Sequence, residues 1–235
     1  MVTRDARHGI EVLLLRRTLA STFVGGAFVF PGGAVDEQDR TPASVQTCRG
    51  RTAADADDVL GSPNALAWWT TAVRECFEES GILLARTEHD EPMRLHDEGV
   101  SGRFDEHRRA VHAGDRNFCD ILCGEGLHVP AGSIHPWSRW VTPIGGPRRY
   151  DTRFFVCEAP GDQTECHDTT EMMESRWFRP IEALDEFAKG AILLILPTVK
   201  SLQAIARFDT VADLLAAAQQ RGTVPAVLPR LRNEP

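Results

Sequence analysis

A mixed α+β architecture, with a sheet held between helices, is the fold class this sequence predicts. Three observations carry it. Short β-branched and aromatic runs bounded by turn residues recur along the chain, among them IEVLLL at 10–15, AFVF at 27–30 and RRYDTRFFVCEA at 148–159. Amphipathic stretches at 64–81 and 197–220 carry helical spacing. The two kinds of element follow one another irregularly, without the repeated strand–helix–strand rhythm of a doubly wound parallel sheet.

In chain order, IEVLLL and AFVF read as strands around the turn ASTFVGG, and PGGAVDEQDR at 31–40 opens a loop of glycine and acid. Residues 41–63 contain Pro42, Gly50, Gly61 and Pro63, and read as an insertion with little regular structure. A helix is expected from an N-cap at Asn64 to a glycine stop at Gly81. ILLA at 82–85 leaves it as a strand or second apolar segment, and 86–102 read as a surface loop. Residues 103–123 are helical with a break near Gly114. WSRWVTP at 137–143 and RRYDTRFFVCEA alternate like strands joined across Gly-Gly-Pro, and ESRWF at 174–178 adds another. IEALDEFAKG and then one longer stretch from Pro197 to Gln220 close the chain as helices. No internal repeat appears. One domain over 1–235 is expected, with an insertion at 40–63 and a helical insertion at about 103–125.

Composition narrows the function classes. A net charge of −8 disfavours a broad grip on nucleic acid, although bound divalent cations can reverse the sign locally for a small polyanion. The longest apolar run, AILLIL at 191–196, is too short to span a bilayer. The N-terminal MVTRDARHGI lacks the apolar core of a signal peptide, so reduced thiols in a cytoplasmic protein are expected. Cys119 and Cys123 lie four apart, but the close Cys-x-x-Cys pairs of structural zinc sites are missing. His107, His112, His128, His135 and His167 show no metal-ligand spacing and read as structural or surface residues.

RECFEESGI at 74–82 concentrates three glutamates on one expected helix. With Glu75 at zero on a wheel of about 100° per residue, Glu79 falls near 40°, Glu78 near 300° and Trp68 near 20°. Leu66, Trp69, Val73, Cys76 and Phe77 fall between about 100° and 200° and face a core. The carboxylates therefore share one face, where like charges repel by a few tenths of a kcal/mol per pair. A solvated acidic face and a site for a hard divalent cation both fit that arrangement.

The context favours the cation. GGAVDEQD at 32–39 follows a strand, and with RECFEESGI it resembles the Nudix signature, whose most diagnostic part is Arg-Glu-x-x-Glu-Glu-x-Gly. Gly33 starts the box, and Arg74, Glu75, Glu78, Glu79, Gly81 and Ile82 fit it. Asp39 stands where the family has Glu, and Cys76 where a larger aliphatic residue is usual. The 34 residues between Asp39 and Arg74 exceed the usual gap of about seven. That long insertion, together with LLLRR, GAFVFPGGAVD, WVTP and RRYDTRFFV, makes the chain similar to the long-insert, peroxisomal-type coenzyme A diphosphatases. The chain closes RNEP, without a peroxisomal ending, so the expected location stays cytoplasmic.

The resemblance implies an α/β/α sandwich of Nudix type and hydrolysis of a diphosphate linked to another moiety, helped by Mg²⁺ or Mn²⁺. Glu75, Glu78 and Glu79 would be metal ligands, with Gly32 lending a backbone carbonyl and one glutamate assisting water. Arg74 would orient the carboxylates. Glu171 and Glu174 compete as a further acid. Arg16, Arg17, Arg148 and Arg153 are candidates to hold the phosphates of an adenine nucleotide, in particular a 3′-phosphate, and Trp68 to line the pocket. The implied substrate is coenzyme A or acyl-coenzyme A, giving phosphopantetheine and 3′,5′-ADP. The box reads only the diphosphate, so ADP-ribose, nucleotide sugars and dinucleotides stay open, as do a non-catalytic nucleotide sensor and a homodimer.

Overall fold

The structure, a computed structural model, describes residues 1–21, 24–144, 149–166 and 171–229. Its elements run β1 (Val2–Ala6), β2 (Gly9–Arg17), β3 (Ala27–Val29), α1 (Pro42–Thr47), β4 (Cys48–Arg49), α2 (Ala53–Leu60), α3 (Leu66–Ser80), β5 (Arg86–Thr87), α4 (Glu98–His112) and α5 (Phe118–Gly124). They continue with β6 (Leu127–Pro130), β7 (His135–Val141), β8 (Asp151–Glu158), β9 (Met172–Phe178), α6 (Pro180–Ala188), β10 (Leu193–Leu194), α7 (Leu196–Ile205), α8 (Val211–Gln219) and β11 (Ala226–Val227).

The main sheet is mixed. Its order is β10-β3-β2-β1-β8-β7-β11, with β9 also on β2. β1 pairs antiparallel with β2 and parallel with β8. β9 lies along β2 from Val12 to Arg17, while β1 pairs with Gly9–Val12 and β3 with Leu15 and Arg16. Val12, Leu13, Leu14 and Leu15 are all fully buried, as a strand covered on both faces requires. Alternation splits them: Leu13 and Leu15 join a core with Trp69, Val73, Cys76 and Phe77 of α3, and Val12 and Leu14 one with α6, α7 and α8. The sheet is thus the middle layer of an α/β/α sandwich, as the sequence predicts.

Several expectations need correction. Residues 41–63 are not irregular, since α1, β4 and α2 fill them. Two of the residues read as breakers mark helix ends instead: Pro42 occupies the first turn of α1, where no intrahelical N–H bond is lost, and Gly61 closes α2 at φ +59°. Asn64 is not an N-cap; it is left-handed at φ +57°, α3 begins at Leu66, and Asp57 accepts instead from the Ala65 amide at 2.7 Å. Of the two readings of 82–85, the apolar segment holds and the strand does not: these residues run buried, bonded through Leu83 to both ends of the Gln163 amide. The loop expected over 86–102 contains β5 and the start of α4. The C-terminal stretch is two helices, α7 and α8, broken at 206–210. The Gly-Gly-Pro connection at 145–147 lies outside the described residues.

The segment after Asp39 and the strands flanking α4 and α5 meet beside α3. β4 pairs with β6 in a second, three-stranded sheet completed by β5. The Ser44 hydroxyl of α1 donates to the Asp39 carbonyl at 2.6 Å and is hydrogen-bonded to the Thr70 hydroxyl of α3 at 2.8 Å.

Candidate active site

α3 forms because its apolar residues recur at three- and four-residue spacing and Gly81, at φ +73°, ends it. That buries Trp69, Val73, Cys76 and Phe77 and leaves the glutamates on the other face. The loop leaving β3 closes over that face. The Gly32 amide donates to Glu79 Oε2 at 2.8 Å. Gly33 comes so close that a Cβ there would stand 2.5 Å from the Glu75 carboxyl group.

Arg74 joins loop to helix. It is 3% exposed, and its guanidinium donates to both oxygens of Asp39, from Nε at 3.1 Å and Nη2 at 2.9 Å. Its remaining bonds go to the Ala34 carbonyl (3.1 Å) and Glu78 (2.8 Å), and Glu75 lies 3.0 Å away. Burial alone would lower its pKa, but Asp39, Glu75 and Glu78 outweigh burial and raise it. Asp39, 1% exposed, also accepts from Thr71 at 2.8 Å and the Asp36 amide at 3.0 Å. The long insertion therefore leaves its two ends bonded together at Asp39 and Arg74.

Between loop and helix lies a cavity of about 310 Å³, lined by loop residues 32–34 and 36, Arg74, Glu75, Glu78, Glu79, Arg17, His112 and Glu171. Burial pushes Glu75 up to about 7 against the lowering pull of Arg74, with Glu78 and Asp36 adding to the rise. Burial likewise pushes Glu79 up to about 8; the Gly32 amide opposes this, and Glu75 and Glu171 reinforce it. A slightly larger hollow of about 340 Å³, at Arg51, Asp55 and His135, contains no box residue. Chemistry rather than size selects the smaller cavity.

Among the described residues, no three His, Cys, Asp or Glu side chains are already gathered at ligand distance. Arg74 holds Glu75 and Glu78, and Gly32 holds Glu79. The donor chemistry nonetheless fits a hard divalent cation, which takes carboxylate oxygens and keeps several waters. Buried, mutually repelling carboxylates gain most from such a charge.

The structure brings Glu75, Glu78, Glu79, Arg74, Gly32, Arg17 and Glu171 to one cavity. Arg16 does not join them. It follows Val12 and Leu14 on the opposite sheet face and sits 3.8 Å from Glu174, its cross-strand partner. Trp68 is half-buried on α3 with Arg153 over its ring. Arg148 and His167 lie outside the described residues. His112, read from sequence as structural or surface, instead lines the cavity, its Nδ1 3.9 Å from Glu78. No spacing signalled this, because α4 reaches Glu78 only through tertiary packing, anchored by Arg108 Nε on the Glu78 carbonyl at 2.8 Å.

A mixed sheet between helices, with a glycine loop closing on a glutamate-rich helix, defines the Nudix class. Within it, the chain belongs to the NUDT19 Nudix domain family, whose profile matches residues 42–205. Acyl-coenzyme A diphosphatase NUDT19 of Homo sapiens is 28% identical over 88% of this chain and 63% of its own length. The Gallus gallus protein of the same name is 31% identical over 87% of this chain and 63% of its own length. The chain thus spans less than two thirds of the length of these relatives. The crystal structure of a NUDIX hydrolase from Alicyclobacillus acidocaldarius superposes with a TM-score of 0.76 at 26% identity, covering 92% of each chain.

Proposed function

We propose that this chain is a divalent-metal-dependent diphosphatase acting on coenzyme A or acyl-coenzyme A, giving a phosphopantetheine fragment and 3′,5′-ADP. The observation that carries the reading is the convergence of Glu75, Glu78, Glu79 and Glu171 on one cavity beneath the Gly32–Gly33 loop. The diphosphatase names of the relatives support the substrate.

Glu75, Glu78 and Glu79 would hold Mg²⁺ or Mn²⁺, with Glu171 as a further acid and the Gly32 carbonyl as a backbone ligand. The bound cation neutralises the diphosphate and acidifies the attacking water. Water adds to phosphorus, the anhydride P–O bond breaks, and the proton passes to a carboxylate of the set. Arg17, beside Glu79, offsets charge at the cavity wall. Arg74 acts through the glutamates it orients. We read the chain as one domain working in a reducing, cytoplasmic setting, in keeping with its six free cysteines. Light scattering on the purified chain tests whether it forms a homodimer.

A panel of coenzyme A, acetyl-coenzyme A, ADP-ribose, a nucleotide sugar and a dinucleotide, each with Mg²⁺ or Mn²⁺, tests the reading. Preferred release of 3′,5′-ADP from the coenzyme A compounds is expected. Preferred cleavage of another compound would move the substrate, and tight binding without turnover under either metal would make the domain a sensor.

A further inference from the structure

The polar residues of β8 leave one cation under-compensated. The Arg153 side chain is 6% exposed, and its Nε is buried with no hydrogen-bond partner. The nearest acid among the described residues is Asp151, 3.7 Å away, whose two oxygens already take the fork of Arg139 at 2.8 and 2.6 Å. Two guanidinium groups thus share one carboxylate. Leaving a buried charged group without hydrogen bonds is costly, and a ligand that supplies them recovers the cost.

Arg153 and Trp68 lie outside the lining of the carboxylate cavity but on the same side of the sheet, against α3. Arg153 shares a sheet face with Phe155, which packs on Trp69 of α3 at 4.9 Å between ring centroids. Its guanidinium carbon lies 4.3 Å from the Trp68 ring centroid, so the indole covers one flat side and satisfies none of the in-plane N–H donors. Along α3, Trp68, Ala72, Glu75 and Glu79 form one stripe, and the small Ala72 leaves the path between indole and carboxylates low. Trp68 and Glu75 are seven residues apart, about 10 Å along the axis.

We propose that Arg153, backed by Trp68, is a phosphomonoester subsite that selects diphosphate substrates bearing an additional phosphate. A planar guanidinium edge matches phosphate oxygens in a paired contact. A phosphate carried on the sugar next to the diphosphate lies within the span of the stripe. Arg16, on the other sheet face, has no such access. The subsite rests on the diphosphatase reading and names the feature of the substrate that it recognises.

The test compares coenzyme A with 3′-dephospho-coenzyme A, in the wild type, Arg153→Gln and Arg153→Lys. The wild type should favour coenzyme A in kcat/KM, and Arg153→Gln should shrink that preference about 10–100-fold through KM. Arg153→Lys, which keeps the charge but loses the fork, should fall between them and serves where the glutamine variant misfolds. An unchanged preference in both variants overturns the subsite. Should the wild type cleave neither compound, the coenzyme A reading fails, and calorimetric binding of 3′,5′-ADP against 5′-AMP still decides the subsite. A wild-type preference for 3′,5′-ADP that Arg153→Lys weakens supports it, and equal binding of the two nucleotides refutes it.

Discussion

Asp39 answers the question its spacing raises. It stands where the signature has Glu, with 34 residues between it and Arg74, yet its carboxylate takes both prongs of the buried Arg74 guanidinium. Losing the Asp39 charge breaks that fork, while Glu75 and Glu78 still face the guanidinium. Asp39→Asn should therefore cost about 1.5–3 kcal/mol in urea unfolding, and a loss below about 1 kcal/mol would mean that Glu75 and Glu78 suffice to hold Arg74. Gly33 makes a different demand. A Cβ there meets the Glu75 carboxyl group rather than backbone, so the side chain can swing aside. Gly33→Ala should leave the melting temperature nearly unchanged while lowering turnover about 10–100-fold, as supporting residues at metal sites do. A large drop in melting temperature would show that the loop, not Glu75, yields.

At the scale of elements, α3 was legible because periodicity, a glycine stop and a dense carboxylate face agree on one helix. The insertion was not, because proline and glycine both break helices and end them. Thr41 caps α1, and Thr52 with Asp55 forms a capping box on α2. Sequence alone offers the breaker and the cap as equal readings of Pro42 and Gly61. Thr52→Ala should cost about 1 kcal/mol, with faster amide exchange concentrated in 53–60; uniform exchange across the chain would count against α2 as a separate local unit. The cavity was only partly legible for a related reason. Glu171 could be named because it precedes a strand near the box, whereas His112 arrives from the far end of α4 and leaves no trace in spacing. The parity of β2 also decides what an Arg-Arg pair cannot: Arg17 faces the carboxylates and Arg16 the opposite layer.

For the whole molecule, the sheet fixes the relation between loop and helix. β2 and β3 deliver the glycine loop to one side, where α3 packs, and α6, α7 and α8 cover the other. The site's raised carboxylates mark it as the place where a cation adds most to the folded state. Mn²⁺ or Mg²⁺ at about 100 times its dissociation constant should stabilise the protein by about 2.7 kcal/mol, read as a rise in melting temperature. Glu79→Gln should lose most of that rise, and an equal rise in the variant would place the metal elsewhere. The most direct measurement is release of 3′,5′-ADP from coenzyme A by the wild type and Glu78→Gln, with Mg²⁺ and with EDTA. Metal-dependent release that the variant lacks, in a protein with an unchanged circular dichroism spectrum, is the predicted result. Turnover that persists in Glu78→Gln, or in EDTA, would contradict the account.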